Sequence, residues 1–250
     1  MIKLGLIGYP LGHSFSKNFY LTKFQKENID NVHYDLYPIE HIDEFPKLFN
    51  QVEQSFRGFN VTIPHKQAVI PYLNELSEEA AIMKAVNCIT ISIKNGETVL
   101  KGYNTDAFGF QKSLEPLLKP NHNQALVLGN GGAAKAVFYS LDKLGIPYKV
   151  VSRNKDTGDL TYEELNANLI SEHPLIINCS PVGTFPNTEQ CPNIPYYAIG
   201  KNHLLYDLIY NPEETLFLKK GKENGAIIKN GYEMLVLQAE KNWEIWNNNF

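Results

Sequence analysis

An α/β fold in two domains is the architecture that three features of the sequence predict. Short apolar runs alternate with helical stretches along the chain, the pattern of strands joined by crossover helices. A glycine turn near the middle, Gly129-Asn130-Gly131-Gly132-Ala133-Ala134, follows an apolar run and opens a helix. The chain has 250 residues, near the size at which one hydrophobic core stops growing and chains divide. Composition agrees: 43% of residues are hydrophobic, 12% aromatic and 20% charged, which excludes disordered, collagen-like and coiled-coil chains. Lys and Arg number 23 against 27 Asp and Glu, a formal charge of −4, and no basic block could follow a phosphate backbone, so nucleic acid is not an expected partner.

Taken in order, residues 2–7 read as a strand, and the apolar start is too short and too broken by Gly5, Gly8 and Pro10 for a secretory or membrane segment. A cytoplasmic protein with no membrane partner is expected. Residues 14–27 read as a helix with Phe15, Phe19 and Phe24 inward, and 32–37 as the second strand. A helix near 41–50, a short strand ending at Val61 and helical turns through 67–84 follow. Asn95-Gly96 is a hairpin turn signal between the strand 89–93 and Val99. A helix over 106–118 starts the second domain around Thr105. A strand at 125–128, a helix at 133–144, a strand at 148–151, a short helix near 162–169 and strands at 175–177 and 204–208 complete the alternation. Residues 234–246 keep a helical stripe through Leu235, Ala239 and Trp246, interrupted by Gln238 on the same face. Cys88, Cys179 and Cys191 form no CxxC pair and the seven histidines show no metal-ligand spacing, so reduced thiols and no metal site are expected.

In the glycine turn, Gly129 permits the tight bend, Gly131 lets backbone approach a pyrophosphate and the small Ala134 allows close helix packing. Asn130, Gly132 and Ala133 belong to the same cofactor-binding turn, with the first N–H groups of the helix as donors. A glycine turn that holds nothing would share these letters, and the end of the next strand bears on the choice. There Val150-Val151 runs into Ser152-Arg153-Asn154, where an NAD site would place an acid for the ribose 2′-hydroxyl. A guanidinium grips a 2′-phosphate that a carboxylate would repel, so these residues favour NADP, with Arg153 as its reader. An exposed loop arginine is the other reading of Arg153.

Four polar clusters lie where strands give way to helices: Gly12-His13-Ser14-Phe15-Ser16, Asn60-Val61-Thr62-Ile63-Pro64-His65-Lys66, Asn87, and Asn104-Thr105-Asp106 at the domain junction. They supply neutral donors, one ammonium and one carboxylate, which suits a small polyhydroxylated acid. Ser14 and Ser16 at a helix start can hold a carboxylate, while capping alone would account for one of them. Hydride addition to a ketone leaves an alkoxide that must take a proton, and Lys66 supported by Asp106 can supply it. In reverse, Lys66 is the base. A surface lysine and a helix-capping aspartate are the alternative reading of the same pair.

Seven segments in order resemble the shikimate dehydrogenase family: Gly8 through Ser16, Gly58-Phe59-Asn60 through Lys66, Ala85-Val86-Asn87, Gly102-Tyr103-Asn104-Thr105-Asp106, the glycine turn, Asp207-Leu208-Ile209-Tyr210-Asn211-Pro212, and Gly231-Tyr232-Glu233 through Gln238. The resemblance spans nearly the whole chain. It implies an α/β chain with a substrate-binding domain of residues 1–104 plus a returning helix over 233–250, and a Rossmann-like NADP-binding domain over 105–232. It implies that Ser14, Ser16 and Thr62 hold the shikimate carboxylate, that Asn60, Lys66, Asn87, Asp106 and Gln238 address the ring hydroxyls, and that Tyr210 lies near the substrate. Ser152, Arg153, Asn154 and Gly231 join the glycine turn as cofactor-site residues. Lys66 and Asp106 are the implied catalytic pair, for reversible NADPH-dependent reduction of 3-dehydroshikimate to shikimate in chorismate and aromatic amino-acid biosynthesis, by a monomer or homodimer.

The sequence also departs from the family pattern. Lys17 stands where Pro is common, Phe19-Tyr20 replace His-Asn, Ser152-Arg153-Asn154 vary Asn-Arg-Thr, and Thr184 replaces a common Met in the segment 178–184. Only 25 positions lead from Ser152 to Ile177, little room for a full crossover helix, so an abridged cofactor domain is expected. Two other readings stand beside the first. One is a quinate/shikimate dehydrogenase that accepts NAD, which Arg153 and the missing acid disfavour. The other is a non-catalytic shikimate-binding module on the same fold, which the presence of Lys66 and Asp106 disfavours.

Overall fold

The computed structural model describes residues 1–12, 14–50 and 56–248; His13 of the first polar cluster and the last two residues of the expected 233–250 helix lie outside the described residues. Two compact units result, Met1–Thr105 with Gln238–Phe250, and Asp106–Leu237.

The first unit runs β1 (Ile2–Gly8), α1 (Phe15–Glu27), β2 (Val32–Pro38), α2 (Phe45–Asn50), β3 (Phe56–Val61), β4 (Glu75–Leu76), α3 (Glu78–Met83), β5 (Cys88–Lys94) and β6 (Glu97–Tyr103). Its sheet has the order β2-β1-β3-β5-β6-β4 among the described residues. Strand β1 is parallel to β2 and β3, whereas β5 is antiparallel to β3 and β6. The β5–β6 hairpin turns at Asn95 and Gly96, both at positive φ (53° and 84°), as a tight two-residue turn requires. Alternate residues of the strands enter two cores: Leu4 and Leu6 pack with Tyr20, Phe24 and Tyr34, while Ile7 packs with Phe45, Phe59 and Val61. Phe15, Phe19 and Phe24 of α1 face inward as expected, and Tyr20, which was not expected there, joins them. Tyr20 and Phe24 are buried, and Phe15 and Phe19 are half-buried against the same cluster. The expected turns over 67–84 are rebuilt. Pro71 limits that stretch to a one-turn 3-10 helix at Ile70–Tyr72, the Asn74 side chain accepts from the Leu100 amide at 2.8 Å and draws the chain onto the sheet edge as β4, and Ser77 then caps α3.

The second unit runs α4 (Asp106–Leu114), β7 (Ala125–Leu128), α5 (Ala134–Leu144), β8 (Tyr148–Ser152), β9 (Leu160–Thr161), α6 (Ala167–Glu172), β10 (Leu175–Asn178), β11 (Leu204–Asp207), α7 (Leu216–Glu223), β12 (Ile227–Lys229) and the first turns of α8 (Tyr232–Asn247). Its strands are all parallel, in the order β12-β11-β10-β7-β8-β9. Strands β7, β10 and β11 are buried at every position, as expected for a parallel sheet covered on both faces. The order reverses between β7 and β10, which leaves a crevice beyond their carboxyl ends. Pro116 ends the expected 106–118 helix at Leu114, with a 3-10 turn after it. The expected 162–169 helix is instead a 3-10 turn at Tyr162–Glu164 followed by α6, because Asn166 caps α6 by accepting from the Asn168 and Leu169 amides. Only a 3-10 turn at Lys155–Thr157 joins β8 to β9. Helix α7 and strand β12 lie in stretches where no element was expected.

Helix α8 is continuous, and from Gln238 onward it belongs to the first unit. There Trp246 is fully buried and its Nε1 donates to the Ile89 carbonyl at 3.0 Å. A Cβ on Gly58 would fall on the Trp246 indole and on that same carbonyl. Gly58→Ala is therefore expected to destabilise the protein by about 2 kcal/mol, read as a lower urea midpoint at unchanged slope. An unchanged midpoint would mean that the indole moves without cost. Among the described residues no helix is long and apolar enough to cross a membrane, and no group of three or more His, Cys, Asp and Glu could hold a metal ion.

Candidate active site

The polar clusters of the first unit follow the carboxyl ends of β1 and β3, and buried hydrogen bonds join most of them. Ser14 is the N-cap of α1, its side chain accepting from the Lys17 amide at 3.3 Å, so capping accounts for one serine of the pair. Ser16 is hydrogen-bonded to the Tyr34 phenol, which donates to Asn60 Oδ1 at 2.7 Å. Asn60 Nδ2 donates to the Asn87 carbonyl at 3.2 Å. The Asn87 side chain accepts from the Thr105 amide at 2.8 Å and donates to Thr105 Oγ1 at 2.9 Å and Gln238 Oε1 at 3.4 Å. Thr105 Oγ1 donates in turn to Asn242 Oδ1 at 2.6 Å, and Asn242 Nδ2 to Gln238 Oε1 at 3.1 Å. Burial pushes the Tyr20 and Tyr34 phenols well above their ordinary range, so both remain protonated donors. Each of these groups would cost about 1–3 kcal/mol if left buried without a partner, which explains why polar Gln238 and Asn242 interrupt an otherwise apolar helix face.

Lys66 and Thr62 stand half-buried in the turn after β3. Two backbone bonds tie that turn to the Asn87 segment: Val86 N donates to the Lys66 carbonyl at 2.7 Å, and Val61 N to the Asn87 carbonyl at 2.8 Å. Asp106, half-buried, is the first residue of α4 and follows Thr105 directly, at a helix start where a carboxylate is favoured. Tyr210, 41% exposed, lies in the loop after β11.

In the second unit a cavity of about 450 Å³ lies beyond the ends of β7, β8 and β10. Its wall comprises Gly129, Asn130 and Gly131, then Ser152 and Arg153, then Tyr162 and Glu163, with residues 179–182 and 191–193 completing it. Gly129 has φ +102° and its amide donates to the Val151 carbonyl at 2.8 Å, so only glycine suits the bend. No heavy atom lies within 4 Å of where a Cβ would stand on Gly131 or Gly132, and α5 begins without a side-chain cap. That open cradle at a helix N-terminus fits a pyrophosphate, and the exposed Arg153 beside it fits a further phosphate. The residues present therefore fit NADP.

The flanking residues do different work. Ser152 Oγ bonds with Thr157 Oγ1 at 2.9 Å and accepts from the Asn154 amide, while Asn154 caps the following turn by accepting from the Asp156 amide, so both shape the loop that presents Arg153. Asn130 Nδ2 donates to the Thr157 carbonyl at 2.7 Å and ties the glycine turn to that loop. Gly132, Ala133, Asn154 and Gly231 are outside the cavity wall. At Gly231 a Cβ would fall on the Leu208 backbone, and its amide donates to the Ile209 carbonyl at 3.0 Å. Sequence reasoning missed Tyr34 and Asn242 as connectors and Tyr162, Glu163 and residues 191–193 as cavity wall. Asn242 had a signal, four positions after Gln238 on one helix face.

Residues 6–89 match the family described as the shikimate dehydrogenase substrate binding domain. Over 261 residues the chain is 37% identical to the NADP(+) shikimate dehydrogenase of Methanococcus maripaludis, covering 97% of this chain and 91% of that one. A chorismate mutase/shikimate 5-dehydrogenase fusion protein from Clostridium acetobutylicum has a TM-score of 0.85 and 36% identity, over 99% of this chain and 92% of that one. The shikimate 5-dehydrogenase of Thermus thermophilus, solved in complex with NADP(H) and shikimate, has a TM-score of 0.84 at 28% identity, over 99% and 94%. With such identity along nearly the full length of both chains, and with both sheets covered by the structural likeness, this protein belongs to the shikimate dehydrogenase family.

Proposed function

We infer that the protein catalyses the reversible NADPH-dependent reduction of 3-dehydroshikimate to shikimate, the step that serves chorismate and aromatic amino-acid biosynthesis. The observation that carries this reading is the 37% identity, over 97% of the chain, to an NADP-dependent shikimate dehydrogenase. We assign substrate binding to residues 1–104 with the helix over 233–250, and NADP binding to residues 105–232. The two compact units, with α8 shared between them, support that assignment.

NADPH, when bound, supplies the hydride. The residues of the polar clusters hold and protonate the acceptor. Ser14, Ser16 and Thr62 take the carboxylate, and Asn60, Asn87 and Gln238 address the ring hydroxyls with amides that their mutual hydrogen bonds keep pre-oriented, supported by Tyr210. The Lys66 ammonium stabilises the negative charge that develops on the carbonyl oxygen and transfers a proton to it, and Asp106 is the second member of the catalytic pair. In the oxidative direction Lys66 takes the proton from the hydroxyl. On the cofactor side the Gly129–Gly132 turn and Ala133 receive the pyrophosphate, Arg153 pairs with the 2′-phosphate, Ser152 and Asn154 hold its loop, and Gly231 supports the site through the Leu208–Ile209 backbone. The partners are these small molecules, and the enzyme acts as a monomer or homodimer. Three free thiols suit a cytoplasmic setting.

The test is the nicotinamide absorbance of purified protein given shikimate or quinate with NADP or NAD. Reduction of NADP with shikimate, and little with the other three pairs, is the expected result. Turnover chiefly with quinate and NAD would replace this reading with the broader dehydrogenase, and shikimate binding without turnover would leave a ligand-binding module.

A further inference from the structure

Asp207 ends β11, the strand beside β10, and is fully buried. Three donors converge on its carboxylate: Asn178 Nδ2 at 3.0 Å and the Ile209 amide at 3.1 Å on Oδ1, and Thr215 Oγ1 at 2.6 Å on Oδ2. Asn178 is its register partner at the end of β10, and Asn178 Oδ1 accepts from both the amide (3.0 Å) and the hydroxyl (2.7 Å) of Ser180. Ser180 and Val182 are cavity wall, and Ile209 lies beside Tyr210 in the loop after β11. Thr215 caps α7, which follows that loop. An amide in place of this carboxylate would accept on one oxygen only, so one of the three donors would have to turn away. A neutral residue would also avoid the cost of a buried charge, so packing alone does not explain an acid here.

We propose that Asp207 is a positioning residue for the reaction, its ionised carboxylate holding the Ser180–Val182 wall of the cofactor cavity through Asn178 and the Tyr210 loop through Ile209. This rests on the dehydrogenase reading above. Burial pushes the carboxyl up to about 6, against the three donors that hold it down. The titratable groups facing it are the Cys179 thiol and the Tyr196 phenol, both pushed up by burial and neutral over the working range. Below about pH 6 the carboxyl takes a proton and one oxygen ceases to accept freely, so the positioning weakens. The stability linkage has the opposite sign. The folded-state value lies above the usual carboxylate range, so this group favours the fold when protonated at low pH, and that contribution is lost as pH rises through about 6.

The experiment compares wild type with Asp207→Asn in three readouts: the pH profile of kcat/KM for shikimate, the NADP dissociation constant by fluorescence, and thermal midpoints between pH 5 and 8. The wild type is expected to lose activity below about pH 6; expected for the variant are a kcat/KM about 10-fold lower at pH 8, weaker NADP binding, and no such acid limb. The wild-type midpoint should also gain on the variant's as pH falls from 7 to 5, while wild-type activity declines. A residue that only supported packing would lower the midpoint and leave the acid limb where it was, and that result overturns the proposal. Should Asp207→Asn not fold, Thr215→Ala removes one donor and keeps the charge, and its acid limb should move to higher pH; an unmoved limb overturns the proposal equally. Wild type without shikimate turnover would overturn the functional reading and this one together, whereas active wild type matched by Asp207→Asn in all three readouts removes Asp207 alone.

Discussion

Lys66→Ala is expected to lower kcat about 1,000-fold while leaving shikimate binding within about 3-fold, because a positioned proton donor acts chiefly on the transition state. The local structure favours that split. The Lys66 backbone is anchored by the Val86 amide and the Asn60–Asn87–Thr105–Gln238 amides are bound to one another, so removing the lysine side chain leaves the groups assigned to the ring hydroxyls in their places. Rapid-mixing kcat, with shikimate affinity from calorimetry, separates the two quantities. Equal losses in affinity and turnover would make Lys66 a binding residue, and wild-type kcat would remove it from the mechanism.

Arg153→Ala should raise KM for NADP about 100-fold more than KM for NAD, since a guanidinium–phosphate pair involves two charge-assisted hydrogen bonds and only NADP carries the 2′-phosphate. Arg153 is exposed on the cavity wall, and the bonds of Ser152 and Asn154 to the loop remain when its side chain is shortened. A fold-wide disturbance would raise both constants in parallel. That outcome would shift the reading of the 2′-phosphate to other residues of the wall.

The strands were legible because their signal is local. Runs such as Ala125-Leu126-Val127-Leu128 and the Asn95-Gly96 turn carry their own conformational preference, and both appear in the structure where the sequence places them. The glycine turn is of the same kind: the positive φ at Gly129 is a demand that few other residues meet. The stretch over 67–84 misled because its helical pattern says nothing about Asn74, whose partner is the Leu100 amide 26 positions away. Tyr20 misled in the same way. Its neighbours Phe15, Phe19 and Phe24 carry the local apolar signal, and the tyrosine is buried beside them because its hydroxyl reaches the Ala239 carbonyl at 2.9 Å, more than 200 positions along the chain.

By itself, then, the sequence determined the α/β class, the dinucleotide turn and the family, since each depends on short-range periodicity or on ordered motifs that survive without knowledge of contacts. Only the tertiary structure decided which polar residues serve one another. Tyr34, Thr105, Asn242 and Asp207 connect segments far apart in the chain, because a buried donor or acceptor must find its partner wherever the chain returns it, and that distance is not written in any local pattern.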